Sequence, residues 1–275
     1  MNYVEVRFYN AISLNEVIIA WLGENDFDMF EELADGLNAY ITEVNFDKEN
    51  LRKVIAAIPD SNQNIRFETS LIKDQNWNKK WESNFEPVDV AGKVYIRAPF
   101  HEHCSGYQHE IVIEPKMSFG TGHHATTTLM VRLMLDFDFT QKKVLDMGCG
   151  TGVLAILAHQ SGATNVTAID INEWAFVNSL ENCERNQAST ITVKQGNVML
   201  IKDDQYDVIL ANINRNILLE DLPAYVVTLN QNGALFLSGI LIGDKDVIIN
   251  RCIQSGLTYI NEATQDNWLA LQFKK

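Results

Sequence analysis

The sequence predicts an α/β protein: a doubly wound, mainly parallel sheet over residues 101–275, preceded by a small α+β domain over residues 1–70. Two observations carry this. From about residue 101 to 275, apolar runs alternate strictly with stripes at helical spacing. Within that pattern, residues 144–152 read Val-Leu-Asp-Met-Gly-Cys-Gly-Thr-Gly, and an isolated acid, Asp170, closes Asn-Val-Thr-Ala-Ile-Asp. An apolar run that meets glycines on alternate positions and resumes as Val153-Leu154-Ala155-Ile156-Leu157 reads as strand, tight turn and helix. The acid then tips the next strand.

The first 70 residues alternate strand and helix signals. Tyr3–Asn10 is strand-like and Leu14–Leu22 is apolar at helical spacing. Phe27–Leu33 and Asn38–Val44 are short strands around the turn signal Asp35-Gly36. Lys48–Ile58 carries a stripe through Leu51, Val54, Ile55 and Ile58, stopped by Pro59, and Asn64–Thr69 is a last strand. The order β-α-β-β-α-β fits a split sandwich of the ferredoxin-like type. It holds no cluster of chemical residues, so it reads as a binding or scaffold domain. Residues 71–100 read as a linker whose amphipathic helix places Trp77 and Trp81 on one face.

Residues 101–275 give strands at 144–148, 165–170, 191–196, 206–212, 234–240, 257–264 and 268–273, with helices at 125–137, 153–161, 173–186, 216–229 and 244–256. The last two strands have no helix between them. They predict a hairpin, with one antiparallel strand at the sheet edge.

The 275 residues suffice for two domains, and no apolar stretch approaches the ~20 residues that span a bilayer. The N-terminus lacks a signal peptide pattern, and the four cysteines have no metal or redox spacing. Together these predict a cytoplasmic chain without a membrane or metal partner. Net charge is −14, and residues 1–70 hold 13 acids against 5 basic residues, a net of −8. Such a surface repels phosphates and attracts basic proteins, so no direct nucleic acid binding is expected.

The glycine spacing Gly148-x-Gly150-x-Gly152 is tighter than a dinucleotide fingerprint, and no Lys or Arg lies between Val144 and Glu184. With Asp146 just ahead, the loop suits S-adenosylmethionine, whose amino acid group needs a carboxylate and backbone partners. The helix N-terminus behind the glycines favours a negative group. Asp170 is placed to accept from both ribose hydroxyls. Cys149 reads as a small buried filler.

A second glycine loop, residues 117–124, lacks the Gly-Lys-Ser/Thr ending of a phosphate loop. It reads as a flexible lid over the cofactor, with Phe119 packing and Thr127 offering a hydroxyl. Asn212 ends the apolar strand Val-Ile-Leu-Ala-Asn. Its carbonyl oxygen is placed to orient an amine, or else to cap the next helix.

On these residues the chain resembles the PrmA family, the methyltransferases acting on large-subunit ribosomal protein eleven. The likeness covers nearly the whole chain. It rests on Phe119–Thr127, Asp146–Gly152, Ala168–Asn172 and Ala211–Ile213, with Trp77…Trp81…Phe85-Glu86-Pro87 and Ser238–Leu241 also family-like. It implies a substrate-recognition domain, a linker helix and a seven-stranded Rossmann-like S-adenosylmethionine-dependent methyltransferase domain. It also implies methylation of lysine ε-amines and of the N-terminal α-amine of the ribosomal protein, taken as a basic substrate free of the ribosome. Thr127, Gly148, Asp170 and Asn212 would contact the cofactor, with Phe119 and Gly150 beside them. Asn214-Arg215 departs from the family's small or apolar pair and borders the acceptor crevice. Alternatives are a lysine methyltransferase for another protein and a non-catalytic cofactor-binding module.

Overall fold

The computed structural model describes residues 2–9, 14–58, 65–72, 85–116 and 118–275. The helix expected around Trp77 and Trp81 lies outside the described residues. The chain divides into two compact units, 1–85 and 86–275.

In the first unit, β1 (Tyr3–Tyr9), α1 (Asn15–Gly23), β2 (Phe27–Leu33), β3 (Gly36–Thr42), α2 (Lys48–Ala57) and β4 (Arg66–Ile72) follow in order. The strands form an antiparallel sheet in the order β2-β3-β1-β4. Burial alternates along β1, so Val4, Val6 and Phe8 face inward, where they meet Ile18 and Leu22 of α1 and Leu51 and Ile55 of α2. Asp47 starts α2 by accepting from the Glu49 N–H at 2.7 Å and the Asn50 N–H at 3.2 Å.

The second unit begins with a three-stranded sheet, β5 (Val88–Val90), β6 (Val94–Arg97) and β7 (His109–Val112). The sequence places the domain boundary at 101. Val90, Val94 and Ile96 belong instead to the same core as Leu129 and Ile156, which draws residues 86–100 into the second unit. Strands of three or four residues are too short to show an alternation.

Next come α3 (Ala125–Leu135), β8 (Lys143–Met147), α4 (Val153–Gln160), β9 (Asn165–Asp170), α5 (Glu173–Arg185), β10 (Thr192–Gln195), a 3-10 turn (Val198–Ile201) and β11 (Tyr206–Asn212). They are followed by α6 (Arg215–Thr228), β12 (Leu229–Leu241), α7 (Lys245–Gln254), β13 (Thr258–Gln265) and β14 (Trp268–Lys274). The sheet order is β10-β9-β8-β11-β12-β14-β13, parallel from β10 to β12. One core joins α3 and α4 to the sheet, and a second joins α6 and α7 to it.

The antiparallel strand is β14, and it is not at the edge. Asp266 and Asn267, both at positive φ, fold it back between β12 and β13. Burial explains the choice. Leu269, Ala270, Leu271 and Phe273 of β14 are buried, whereas the first four residues of β13 are exposed.

β7 pairs with β6 on one side only. On its other side three asparagines of α5, spaced four apart, meet the backbone. The Asn186 side chain accepts from the Val112 N–H at 2.8 Å and donates to the Val112 carbonyl at 2.7 Å. Asn182 accepts from the Glu114 N–H at 2.9 Å, and Asn178 donates to the Glu114 carbonyl at 3.3 Å. Asn182 also donates to the Thr151 carbonyl at 2.9 Å, tying α5 to the glycine turn.

Candidate active site

Four neighbouring strands of the large sheet end on one cavity of about 350 Å³. Past β10 lie Gly196, Asn197 and Val198. Asp170 ends β9, with Ile171 and Asn172 beyond it, and Met147 ends β8 before Gly148 and Gly150. Asn212 ends β11 before Ile213, while Ser118 and Phe119 enter from the loop ahead of α3. A crevice beyond the carboxyl ends of parallel strands is where open α/β sheets bind ligands.

Gly148, Gly150 and Gly152 take φ values of 70°, 54° and 81°. Their role here is steric. The five consecutive N–H groups of residues 148–152 all have acceptors inside the protein. Gly148 and Cys149 donate to the Ile169 carbonyl, Thr151 to Phe119 and Gly152 to Cys149. Gly150 donates to Asp170 Oδ2 at 2.9 Å. These five donors are satisfied within the protein, so none of them is open to a ligand.

Asp146, expected to meet the ligand, is also placed differently. It is 1% exposed, does not line the cavity, and accepts from the Ala155 N–H at 3.1 Å. Burial pushes its carboxyl up to about 7; the Ala155 bond opposes the rise and the Asp170 charge adds to it. The folded-state value lies above the unfolded one. The unfolded chain therefore loses this proton first, and stability falls as pH rises from about 4 to about 7. Asp146→Asn is expected to remove on the order of 4 kcal/mol of that fall. Denaturant titrations of both proteins from pH 4.5 to 8 check this, and parallel stability curves would refute it. Cys149 is a buried filler, its thiol pushed well above the ordinary range by burial, which leaves it inert as a nucleophile.

The loop ahead of α3, expected as a flexible lid, is hydrogen-bonded to the glycine turn and to Glu86. The Thr151 N–H donates to the Phe119 carbonyl at 2.8 Å and its hydroxyl to the Gly120 carbonyl at 2.7 Å. His123 Nε2 donates to the Glu86 carbonyl at 2.9 Å. His124 caps α3 through Nδ1, and its ring lies 5.0 Å from that of Phe119 and 4.8 Å from that of Trp268.

Asp170 is held by backbone on both oxygens: Oδ2 by Gly150 and Oδ1 by the Asn172 N–H at 2.9 Å. A carboxylate has about four acceptor sites, so capacity remains for hydroxyls. Asn212 does not cap the next helix. Asn214 does, accepting from the Ile217 N–H at 3.2 Å. Arg215 pairs with Asp244 at 2.6 Å. Neither member of that unusual pair lines the cavity. Thr127 is buried in the first turn of α3, where residues 125–131 meet the core. It is not among the cavity-lining residues, and its Oγ1 is a buried oxygen without a partner among the described residues.

Two buried oxygens of the cavity residues lack a partner, Ser118 Oγ and Asn212 Oδ1. A ligand that brings donors to one end and hydroxyls to the middle answers these groups. S-adenosylmethionine fits: its ammonium suits the two orphaned oxygens, its ribose suits Asp170, and it has no phosphate to require the spent amides. Ser118, Val198, Ile213 and Asp221 were missed by sequence reasoning. Ser118 lies in the 117–124 loop read as a lid and Ile213 follows Asn212, so both carried a signal; Val198 and Asp221 carried none.

This fold and this cavity define an S-adenosylmethionine-dependent methyltransferase. The family model described as ribosomal protein L11 methyltransferase (PrmA) matches residues 19–275. The chain belongs to that family. It is 40% identical to the ribosomal protein L11 methyltransferase of Phocaeicola vulgatus over 99% of both chains. It is 35% identical to that of Chlorobaculum parvum over 98% of this chain and 95% of the relative. Among solved structures, the ribosomal protein L11 methylase of Lactobacillus delbrueckii subsp. bulgaricus superposes with a TM-score of 0.64 at 26% identity, covering 69% of this chain and 98% of that one. Among the described residues no helix is long and apolar enough to cross a membrane.

Proposed function

We propose that this chain transfers methyl groups from S-adenosylmethionine to ribosomal protein L11, at lysine ε-amines and the N-terminal α-amine, in the cytoplasm and before the substrate joins a ribosome. The names of its relatives support the substrate. The observation that carries the chemistry is Asn212 Oδ1, a buried acceptor without a partner at a strand end beside Gly148 and Ile213. An amine has the N–H groups such an oxygen needs.

When bound, the cofactor supplies an electrophilic methyl on a sulfonium. The chain's part is alignment. Asn212 Oδ1 has two acceptor sites, one for the cofactor's ammonium and one to orient the substrate amine. Asp170 holds the ribose, and Phe119 shields the crevice from water. Lysine's ordinary pKa is about 10.4, and desolvation in this mainly apolar cavity favours the neutral, nucleophilic amine. No dedicated base is needed. Asn212→Ala is expected to lower kcat by roughly 10- to 100-fold, about 1.5–3 kcal/mol. Labelled S-adenosylmethionine at saturation, with intact ribosomal protein as acceptor and mass spectrometry for the modified positions, gives the readout. An unchanged kcat would remove Asn212 from the mechanism.

The first unit serves as the recognition domain. Its β-α-β-β-α-β order and β4-β1-β3-β2 sheet support a ferredoxin-like reading, and its net charge of −8 over residues 1–70 suits a basic partner. Among the described residues, those that line the cavity all fall within 118–221. Removing residues 1–85 is thus expected to preserve cofactor affinity while abolishing methylation of the ribosomal protein. Full activity in the truncated enzyme would take recognition away from this unit.

A further inference from the structure

Besides Asp170, one other carboxylate lines the cavity among the described residues: Asp221. It lies on α6 one helical turn past Ile217, and both face the cavity. One turn further on, Tyr225 is fully buried, and its phenol donates to Asp221 Oδ2 at 3.2 Å. That bond fixes the carboxylate and leaves Oδ1 without a bond to any described residue. α6 packs against the 3-10 turn after β10, whose first residue, Val198, also lines the cavity.

The sheet order assigns the three parts of the cofactor. Asp170, at β9, takes the ribose. The orphaned oxygens of Ser118 and Asn212 take the amino acid end, on the β8–β11 side. The base is left the β10 side, where Ile171, Ala175 and Val198 give it apolar walls. Adenine presents an exocyclic amine beside the acceptor N1. At that end Asn197 Oδ1 already accepts from the Met199 N–H at 3.1 Å as a cap. Asp221 is the acceptor that remains. Burial raises its pKa, and the Tyr225 bond holds it down.

We propose that Asp221 Oδ1 accepts a hydrogen bond from the exocyclic amine of adenine and so makes the cofactor site specific for adenine, with Tyr225 as its positioning residue. The proposal rests on the cofactor assignment and is separable from it.

The test is calorimetric binding of S-adenosylhomocysteine and S-inosylhomocysteine to the full-length protein. The second ligand carries a carbonyl oxygen where the first has the amine. The wild type is expected to bind the inosine form at least roughly 30-fold more weakly, because a site built to bond a donor rejects an analogue lacking it. Asp221→Leu is expected to bring the two affinities within about threefold by weakening only the adenosine form. Asp221→Asn keeps the shape and supplies a donor for the carbonyl, so it should narrow or invert the preference even if the leucine variant does not fold. Tyr225→Phe should narrow it partly. A wild type indifferent to the two ligands overturns the proposal. So does a preference that survives in Asp221→Asn, including the case where that variant changes only the KM for the protein substrate. If neither ligand binds the wild type, the cofactor assignment itself falls.

Discussion

Replacing Asp170 with alanine is expected to weaken S-adenosylhomocysteine binding by roughly 100- to 1000-fold, about 3–4 kcal/mol. Two losses combine. The first is direct: hydrogen bonds from ribose hydroxyls to a charged acceptor contribute about 1.5–3 kcal/mol each. The second is indirect. The same carboxylate holds the Gly150 and Asn172 N–H groups, both at 2.9 Å, so its removal releases the turns after β8 and β9 together. Asp170→Asn keeps the shape and one oxygen acceptor, and should fall between alanine and wild type. Titration calorimetry on the three proteins decides the matter. Affinities within threefold of one another would show that the ribose is held elsewhere.

Gly150→Ala should do comparable damage by a different route. A Cβ there would sit 2.2 Å from the Phe119 carbonyl oxygen, a backbone atom that cannot swing aside. Relief means moving the 118–120 segment and giving up the bond from the Thr151 N–H to that same oxygen. A left-handed alanine adds roughly 1–2 kcal/mol of strain at φ 54°. We expect a total loss of about 2–4 kcal/mol of stability, with cofactor affinity down by at least about tenfold. Gly92→Ala is the control: its φ is 66°, yet a Cβ there meets nothing within 4 Å. Chemical denaturation of both variants separates strain from contact. If Gly150→Ala costs no more than Gly92→Ala, the two loops are not held against each other.

The legible parts of the molecule were those written into long periodic segments. Tyr206–Asn212 shows its full length in the apolar run; Gly148, Asp170 and Asn212, at or just past strand ends, line one cavity with Phe119 and Gly150 of the adjoining loops. What sequence could not give is where a hydrogen bond goes. The glycine turn looks the same whether its amides face a ligand or, as here, the Ile169 and Phe119 carbonyls. Asp146 and Asp170 both end apolar runs, yet one is sealed under α4 and the other lines the cavity. Thr127 follows a loop that reaches the cavity and lies buried in the first turn after the cap at His124, its hydroxyl without a partner among the described residues, which the sequence does not show. Strand order is a further limit. The exposed side chains of β13 and the apolar ones of β14 were both readable, but insertion of the later strand is decided by their competition for the interior.

The asparagines of α5 have a consequence beyond fastening loops. A strand with an open side presents a row of donors and acceptors that another chain can copy, which is how sheets grow from molecule to molecule. At β7 that row is already answered by side-chain amides at Val112, and its continuation is answered at Glu114. The helix thus acts as a false neighbouring strand, one that satisfies the edge without extending it. At Val112 and Glu114 the edge has nothing left to template, which protects that stretch of chain from pairing with another molecule.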